Sequence, residues 1–406
     1  MQPTSASVDA IASARVPNPP SRAAWLAVGS IAVGTFSMVT TEFLPVGLLT
    51  DIAAGLSITE GTAGLMVTVP GILAALAGPA LIVASGRLDR RAVMIALTAM
   101  LVVSNAVAAM APNLVTLLAA RLLLGLCIGG FWTFAPGAAT QLVPPASQAR
   151  AMSLVLMGVS VATVLGVPLS AFIGNLAGWR AAFAANGLLA AVVLAAQFWL
   201  LPAMPPTRAI KARDLLTPLT RRLAQVGLLM TLLLIAGHFA AYTYLRPLLE
   251  QVFGLPPRLV SALLLVYGAA GFVGTFLGGS LAARSVRATA VLTSLLIASA
   301  LLLSTMIGGG IVGAAAVVVL WGIAFGLVPV AVTAWMLNAV PDMPEAGQAL
   351  LVSAFQVAIA TGSLLGGVVV DGYGISNTML LASVLAAAAA VVAGTLGYAR
   401  RYAVAA

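Results

Sequence analysis

The sequence predicts an all-α membrane protein, with twelve transmembrane helices in two six-helix pseudo-symmetric bundles around a central cavity. Three observations carry this reading. Of the 406 residues, 62% are hydrophobic and only 7% are charged, where a soluble chain carries about 25%. The chain divides into apolar stretches of membrane-spanning length, about 20 residues each. A stripe of small residues in the fifth stretch also recurs in the eleventh.

The elements follow in order. Residues 1–22 are polar and rich in Pro and Ser, without a short apolar core and cleavage site, so they read as a disordered cytoplasmic tail and not as a signal peptide. The first apolar run, 23–49, is too long for a signal core. It is followed by 62–85, 92–111, 114–142, 149–174 and 180–202. Together, 23–202 form an N-terminal six-helix bundle. Residues 203–222 hold Pro205, Pro206 and a run of basic residues, and are too short for a domain, so they read as a cytoplasmic linker. The runs 223–249, 259–283, 288–307, 311–340, 346–370 and 377–399 complete a C-terminal bundle within 223–406.

Charge confirms the layout and narrows function. The net charge is +9, from 19 Lys plus Arg against 10 Asp plus Glu. These charges are too sparse for a nucleic-acid surface, and they act as topology signals. Arg180 and Arg258 fall on one side of the spans and Arg121 and Arg246 fall inside them. The remaining 15 of the 19 lie on the side of the termini and linker. The excess of Lys and Arg on cytoplasmic loops then puts both termini and the linker on the cytoplasmic side. One cysteine, Cys127, and one histidine, His238, exclude a disulfide and any Cys- or His-based metal cluster. Cys127, on a small-residue stripe, reads as packing. No nucleophile–base pair and no phosphate-binding glycine loop occurs. The expected protein is not an enzyme, needs no cofactor, and works as a monomer in the lipid bilayer.

The duplication is visible in the small-residue stripes. The fifth span carries Gly158, Ala162, Gly166 and Ser170, then Gly174. The eleventh carries Ala354, Ala358, Gly362 and Gly366, each 196 residues on, and the same offset maps Gly178 onto Gly374. Such stripes let helix backbones approach closely in lipid. Two parallel six-span halves imply a cavity between them and one half rocking against the other.

Ionisable residues inside spans are functional candidates because burying them in lipid is costly. At ~1.5 Å per residue, Glu42 and Arg121 lie at equal depth below the outer face, which predicts that they pair. Either the carboxylate takes up a proton in one state and is held ionised by Arg121 in the other, or the pair is a permanent structural bridge. His238, Tyr242, Arg246 and Glu250 are spaced by four and share one helix face. His238 is a proton-coupling candidate or a satisfied interhelical hydrogen bond. Tyr242, Tyr244 and Arg246 are candidates for holding a flat polar ligand, and Pro247 is expected to bend the helix. Trp132, Trp321 and Trp335 read as an aromatic wall or as packing. Gln356 is a candidate for reading an amide-like or purine edge.

Several segments also resemble a known family. Gly86-Arg87-Leu88-Asp89-Arg90-Arg91 follows the second span, Arg121-Leu-Leu-Leu-Gly125 opens the fourth, and Gly166-Val167-Pro168 lies in the fifth. Further segments are Glu42-Phe-Leu-Pro45, Gly129-Gly-Phe-Trp132, Leu142-Val-Pro-Pro145, Tyr244-Leu-Arg246-Pro247 and Trp321-Gly-Ile-Ala-Phe-Gly-Leu-Val-Pro329-Val. They resemble the major facilitator superfamily over nearly the whole chain. Within it they are most similar to the twelve-span drug:proton antiporters, notably bacterial purine-ribonucleoside efflux pumps and the related sugar-efflux transporters. The resemblance implies a proton-coupled exporter of a small organic solute such as inosine or guanosine. Sugar or multidrug efflux, or an uncoupled facilitator, are the alternatives. It further implies that Gly86, Asp89, Arg90, Arg91, Gly166 and Pro168 belong to motifs that govern conformation, and that position 238 holds Gln or His.

Overall fold

The computed structural model describes residues 21–84, 88–205, 216–307 and 309–397. The described residues contain twelve helices long and apolar enough to cross a membrane. These are α1 (Arg22–Leu56), α2 (Glu60–Leu81), α3 (Arg90–Ala109), α4 (Leu114–Gln141), α5 (Pro145–Ala177) and α6 (Trp179–Leu200). The second six are α7 (Arg222–Tyr242), α8 (Pro257–Arg284), α9 (Val286–Met306), α10 (Ile311–Ala339), α11 (Pro344–Tyr373) and α12 (Ile375–Leu396). An apolar chain in lipid has no water to satisfy its N–H and C=O groups, and helices satisfy them internally. In several spans the first turn, where four N–H groups lack partners, is capped by a side chain. Ser21 Oγ accepts from Ala24 N at 3.1 Å, Asn113 Oδ1 from Thr116 N at 3.0 Å, and Ser285 Oγ from Ala288 N at 3.2 Å.

The glycine stripes do what their spacing predicts. A Cβ on Gly158, Gly166 or Gly174 of α5 would strike Ala32, Thr40 or Leu48, all on α1. A Cβ on Gly362 or Gly366 of α11 would strike Ala236 or Ala240, both on α7. The pair α5–α1 in one half thus matches α11–α7 in the other. Gly178 and Gly374 both have positive φ, 84° and 85°. Each turns the chain between consecutive spans in a conformation that suits glycine. The halves meet along two matching seams. On one, Gly71 of α2 lies against Ala360 of α11; on the other, Gly268 of α8 lies against the backbone of Thr163 and Val164 of α5.

Two spans differ from the sequence expectation. The first was expected to end at 49, where the apolar run ends. Instead α1 continues to Leu56, and Asp51 is accommodated by an ion pair with the other half. The seventh was expected to run to 249 with a bend at Pro247. Instead the regular helix ends at Tyr242 and resumes at Leu245, then widens over Leu248–Val252. Pro247 sits in the first turn of the new segment, where its missing N–H needs no partner. The break therefore precedes the proline.

Candidate functional site

A cavity of about 1120 Å³ lies between the halves. Its walls are α2 (Ala74, Gly78), α4 (Gly129, Trp132, Thr133, Pro136) and α11 (Gln348, Val352, Gln356), and its mouth holds Leu216 and Glu345. The cavity therefore opens at the end of the bundle that carries the linker. Small residues on α2 and α4 provide the room, Trp132 contributes an aromatic face, and Gln356 is the polar group at its inner reach.

Gln356 connects this cavity to Glu42. Its Nε2 donates to Glu42 Oε1 at 3.2 Å, a bond between α11 and α1 and so between the two halves. Both residues are buried, and Gln356 Oε1 has no partner. Arg121 does not form the expected direct ion pair. Its Nη1 donates to the Thr41 carbonyl at 2.7 Å, and its guanidinium lies 5.2 Å from the centre of the Phe183 ring. The backbone next to Glu42, not its carboxylate, takes the hydrogen bond. Arg121 Nε and Nη2 remain without partners. A buried carboxylate and a buried guanidinium with spare donors thus lie in one half, on α1 and α4, with the guanidinium bonded to the backbone beside Glu42 and not to its carboxylate.

The end away from the linker is closed by polar contacts between the halves. Arg246 donates to both carboxylate oxygens of Asp51, at 2.7 and 2.9 Å, and to the Gly47 carbonyl at 2.8 Å, while its Nε pairs with Glu250 at 2.8 Å. Thr50 donates to Glu250 at 2.8 Å, and Gln251 to Glu60 at 2.8 Å. Asp371 of α11 accepts from Thr59 Oγ1 at 2.6 Å and from Gly61 N at 2.9 Å. Tyr244 donates to the Ser363 carbonyl at 2.9 Å and fills the space beside Gly64 and Gly367. Arg246 and Tyr244 therefore belong to this closure in the present conformation and do not line the open cavity. Asp51, Glu60 and Asp371 were not singled out from the sequence, because an acidic residue near a span end looks like an ordinary water-facing residue. The proximity of Arg246 and Asp51 across 195 positions left no local trace.

His238 and Tyr242 lie in an aromatic cluster within the C-terminal half. The His238 ring stacks on Phe325 at 3.8 Å and on Tyr242 at 5.1 Å, and Tyr242 stacks on Tyr267 at 5.1 Å. Trp321 Nε1 donates to His238 Nδ1 at 3.1 Å. That bond requires an unprotonated Nδ1 and so fixes the proton on Nε2, which has no partner. Phe43, next to Glu42, stacks on Phe239 at 5.5 Å and links α1 to this cluster. Trp335 lies elsewhere. It is buried against Gly227 and Gly397 and donates to the Leu223 carbonyl at 3.0 Å.

Of the motif residues, Gly86 lies outside the described residues. Asp89 caps α3 by accepting from Arg91 N at 2.8 Å, and it also accepts from Met204 N at 3.0 Å. Arg91 donates to the Phe198 carbonyl at 2.7 Å, and Arg90 lies 4.8 Å from the centre of the Phe134 ring. These contacts tie the loop to α4, α6 and the start of the linker, all within one half. Pro168 follows the widened turn Ala162–Gly166 of α5. Its missing N–H leaves a carbonyl of that turn without its usual partner.

Twelve spans around a cavity that opens at one end and reaches a buried carboxylate define a multi-pass membrane transporter. The chain belongs to the Major Facilitator Superfamily, whose pattern matches residues 31–350. It is 32% identical over 364 residues to the purine ribonucleoside efflux pump NepI of Escherichia coli (strain K12), covering 89% of this chain and 91% of that one. It is 38% identical over 372 residues to the transcription regulatory protein OpdE of Pseudomonas aeruginosa, covering 91% and 92%. In fold it is similar to a bacterial homolog of the human lysosomal transporter Spinster in an inward-facing and occupied conformation. That match has a TM-score of 0.72 at 14% identity and covers 92% and 96% of the two chains. It is also similar to a POT family transporter in complex with 5-aminolevulinic acid, with a TM-score of 0.71 at 12% identity and coverage of 93% and 96%. The protein is a membrane transporter and not an enzyme.

Proposed function

We propose that this chain is a proton-coupled exporter of purine ribonucleosides, such as inosine or guanosine, in a bacterial inner membrane, with both termini and the 203–222 linker in the cytoplasm. The observation that carries this reading is the large cavity whose inner end reaches, through Gln356, the buried carboxylate of Glu42. Export against a gradient needs a group that binds a proton in one conformation and releases it in the other. Glu42 suits that role because its partner in the other half is a neutral amide, while Arg121 beside it keeps two donors free to hold the ionised form. His238 suits it less, because Trp321 occupies the nitrogen that an incoming proton would need.

On this topology the conformation is open to the cytoplasm and shut outside by Arg246, Asp51 and the contacts around them. The substrate enters the cavity beside Trp132, whose indole offers a stacking face to a base, and Gln356 meets the polar edge. The two halves then rock about the α2–α11 and α5–α8 seams. Similarity to the purine ribonucleoside efflux pump NepI favours nucleosides over sugars. The test is reconstitution under an imposed pH gradient with labelled inosine, guanosine, arabinose or a cationic dye. Uphill movement of inosine that stops when the gradient is collapsed is expected. Downhill movement indifferent to the gradient identifies a facilitator, and uphill movement of arabinose or dye alone reassigns the substrate.

A further inference from the structure

Glu42 and the cavity do not touch directly. Gln356 stands between them, bonded to the carboxylate on one side and lining the cavity on the other. Its two amide atoms have opposite hydrogen-bonding character: the nitrogen only donates and the oxygen only accepts. An ionised carboxylate only accepts, so it must face the nitrogen, as it does here at 3.2 Å. The oxygen is then left without a partner.

We propose that Gln356 is a specificity-determining switch, which turns the protonation of Glu42 into a reversal of the hydrogen-bonding edge offered to the substrate. The inference rests on the reading of Glu42 as the proton acceptor. With Glu42 ionised, Gln356 Oε1 is free to accept from a substrate N–H or O–H, such as the ring N–H of inosine. When a proton lands on Glu42, the carboxyl becomes a donor and needs an acceptor. The amide rotates by half a turn, its oxygen takes the carboxyl proton, and its NH2 replaces the oxygen on the substrate side. Donor then faces donor and the substrate bond is lost, with an unpaired buried group left in its place.

The surroundings leave Gln356 free to act in this way. Arg121 of α4 donates to the Thr41 carbonyl, beside Glu42, and makes no bond to Gln356. From α7, Tyr242 meets the ring of Phe43, the residue after Glu42, edge-on, and His238 stacks on Tyr242 behind it. The class of substrate required is a solute with a hydrogen-bond donor on a flat polar edge. An analogue lacking that donor would lose the discrimination between the two protonation states.

The experiment uses the full-length protein in liposomes, titrated from about pH 5 to about pH 9. Without substrate, infrared difference spectra are expected to show a Glu42 carboxyl band and a Gln356 side-chain amide shift with the same midpoint. Both vanish in Glu42→Gln, and the amide shift alone vanishes in Gln356→Leu. An amide band that stays fixed while the carboxyl band grows overturns the switch. With inosine as probe, wild-type binding is expected to weaken about tenfold from the alkaline to the acid limit, the scale of one lost hydrogen bond. In Gln356→Leu, binding is weaker but varies less than about twofold across the series. A purely structural role for Gln356 would lower binding evenly and keep the pH dependence, which also overturns the proposal. If Gln356→Leu does not fold, Gln356→Met takes its place. A wild type that ignores inosine contradicts the substrate reading alone, because the infrared arm still decides the switch.

Discussion

Arg246, in the short helical segment that follows α7, holds both carboxylate oxygens of Asp51 of α1, at 2.7 and 2.9 Å, and this two-pronged contact joins the halves at the end opposite the cavity mouth. Arg246 is almost fully buried, whereas about a third of the Asp51 side chain is exposed. A planar guanidinium gains geometric specificity from such bidentate contact. Neutralising Asp51 takes away the charged acceptor that holds Arg246 across the halves and leaves it paired only within its own half, with Glu250. Asp51→Asn is therefore expected to favour the state open at this end, by on the order of 1–3 kcal/mol, or about 5- to 150-fold in the ratio of states. Spin labels at the exposed positions Ala54 and Arg258 would report longer distances in the variant. Unchanged distances would mean that the surrounding contacts hold the closure without Asp51.

Trp132 and Trp335 looked equivalent in the sequence, and the structure separates them. Trp132 faces the cavity, while Trp335 is packed against α7 and the end of α12. Trp132→Ala is expected to weaken nucleoside binding by about 1–3 kcal/mol, the scale of one aromatic stacking contact, with little change in thermal stability. Trp335→Ala is expected to do the reverse, lowering the melting temperature and leaving the affinity of the folded fraction near wild type. Calorimetric binding together with a melting curve on both variants checks the pair.

Helix contact in lipid depends on the small-residue stripes. Gly362→Ala would drive a methyl into the Ala236 carbonyl of α7, whereas a methyl at Gly279 of α8 meets nothing within 4 Å. Gly362→Ala is expected to lower the yield and melting temperature of folded protein. Gly279→Ala is expected to be neutral or to stabilise by up to about 1 kcal/mol through helix propensity. Equal behaviour of the two would contradict the packing role assigned to the stripe.

Outside the membrane, the hydrogen bond from Arg221 holds the Asp342 carboxyl below the usual carboxylate range. A carboxyl whose folded pKa is depressed contributes stability above its unfolded value of about 3.9 and loses it as pH falls through the folded value. Both side chains are substantially exposed, so the contribution is small and screened by salt. Wild type is expected to melt slightly above Asp342→Asn near neutral pH and low salt. The difference should close in acid and in concentrated salt, and a difference that persists there would contradict the ion-pair origin.

The fold was legible because scarcity of charge, span length and the 196-residue offset are properties of the linear chain. The aligned turns at Gly178 and Gly374 and the matched glycine contacts on α1 and α7 follow from them. The site was legible only in part. Composition singles out Glu42, Arg121, Arg246 and Gln356 as polar residues in apolar spans. Their partners depend on side-chain directions between helices, which no spacing rule supplies. Equal depth suggested a Glu42–Arg121 pair, yet the Thr41 carbonyl takes the arginine bond and Gln356 takes the carboxylate. Regular four-residue spacing suggested one continuous face on α7. The break after Tyr242 instead assigns His238 and Tyr242 to the aromatic cluster, and Arg246 and Glu250 to the closure.

The measurement that bears most directly on the central claim is uphill inosine transport by Glu42→Gln in liposomes under an imposed pH gradient, with proton flux recorded in parallel. The expected result is that wild type accumulates inosine against its gradient with matching proton movement. The variant is expected to retain downhill inosine exchange but to lose both accumulation and coupled proton flux. Accumulation by Glu42→Gln at the wild-type rate would contradict the assignment of Glu42 as the coupling carboxylate.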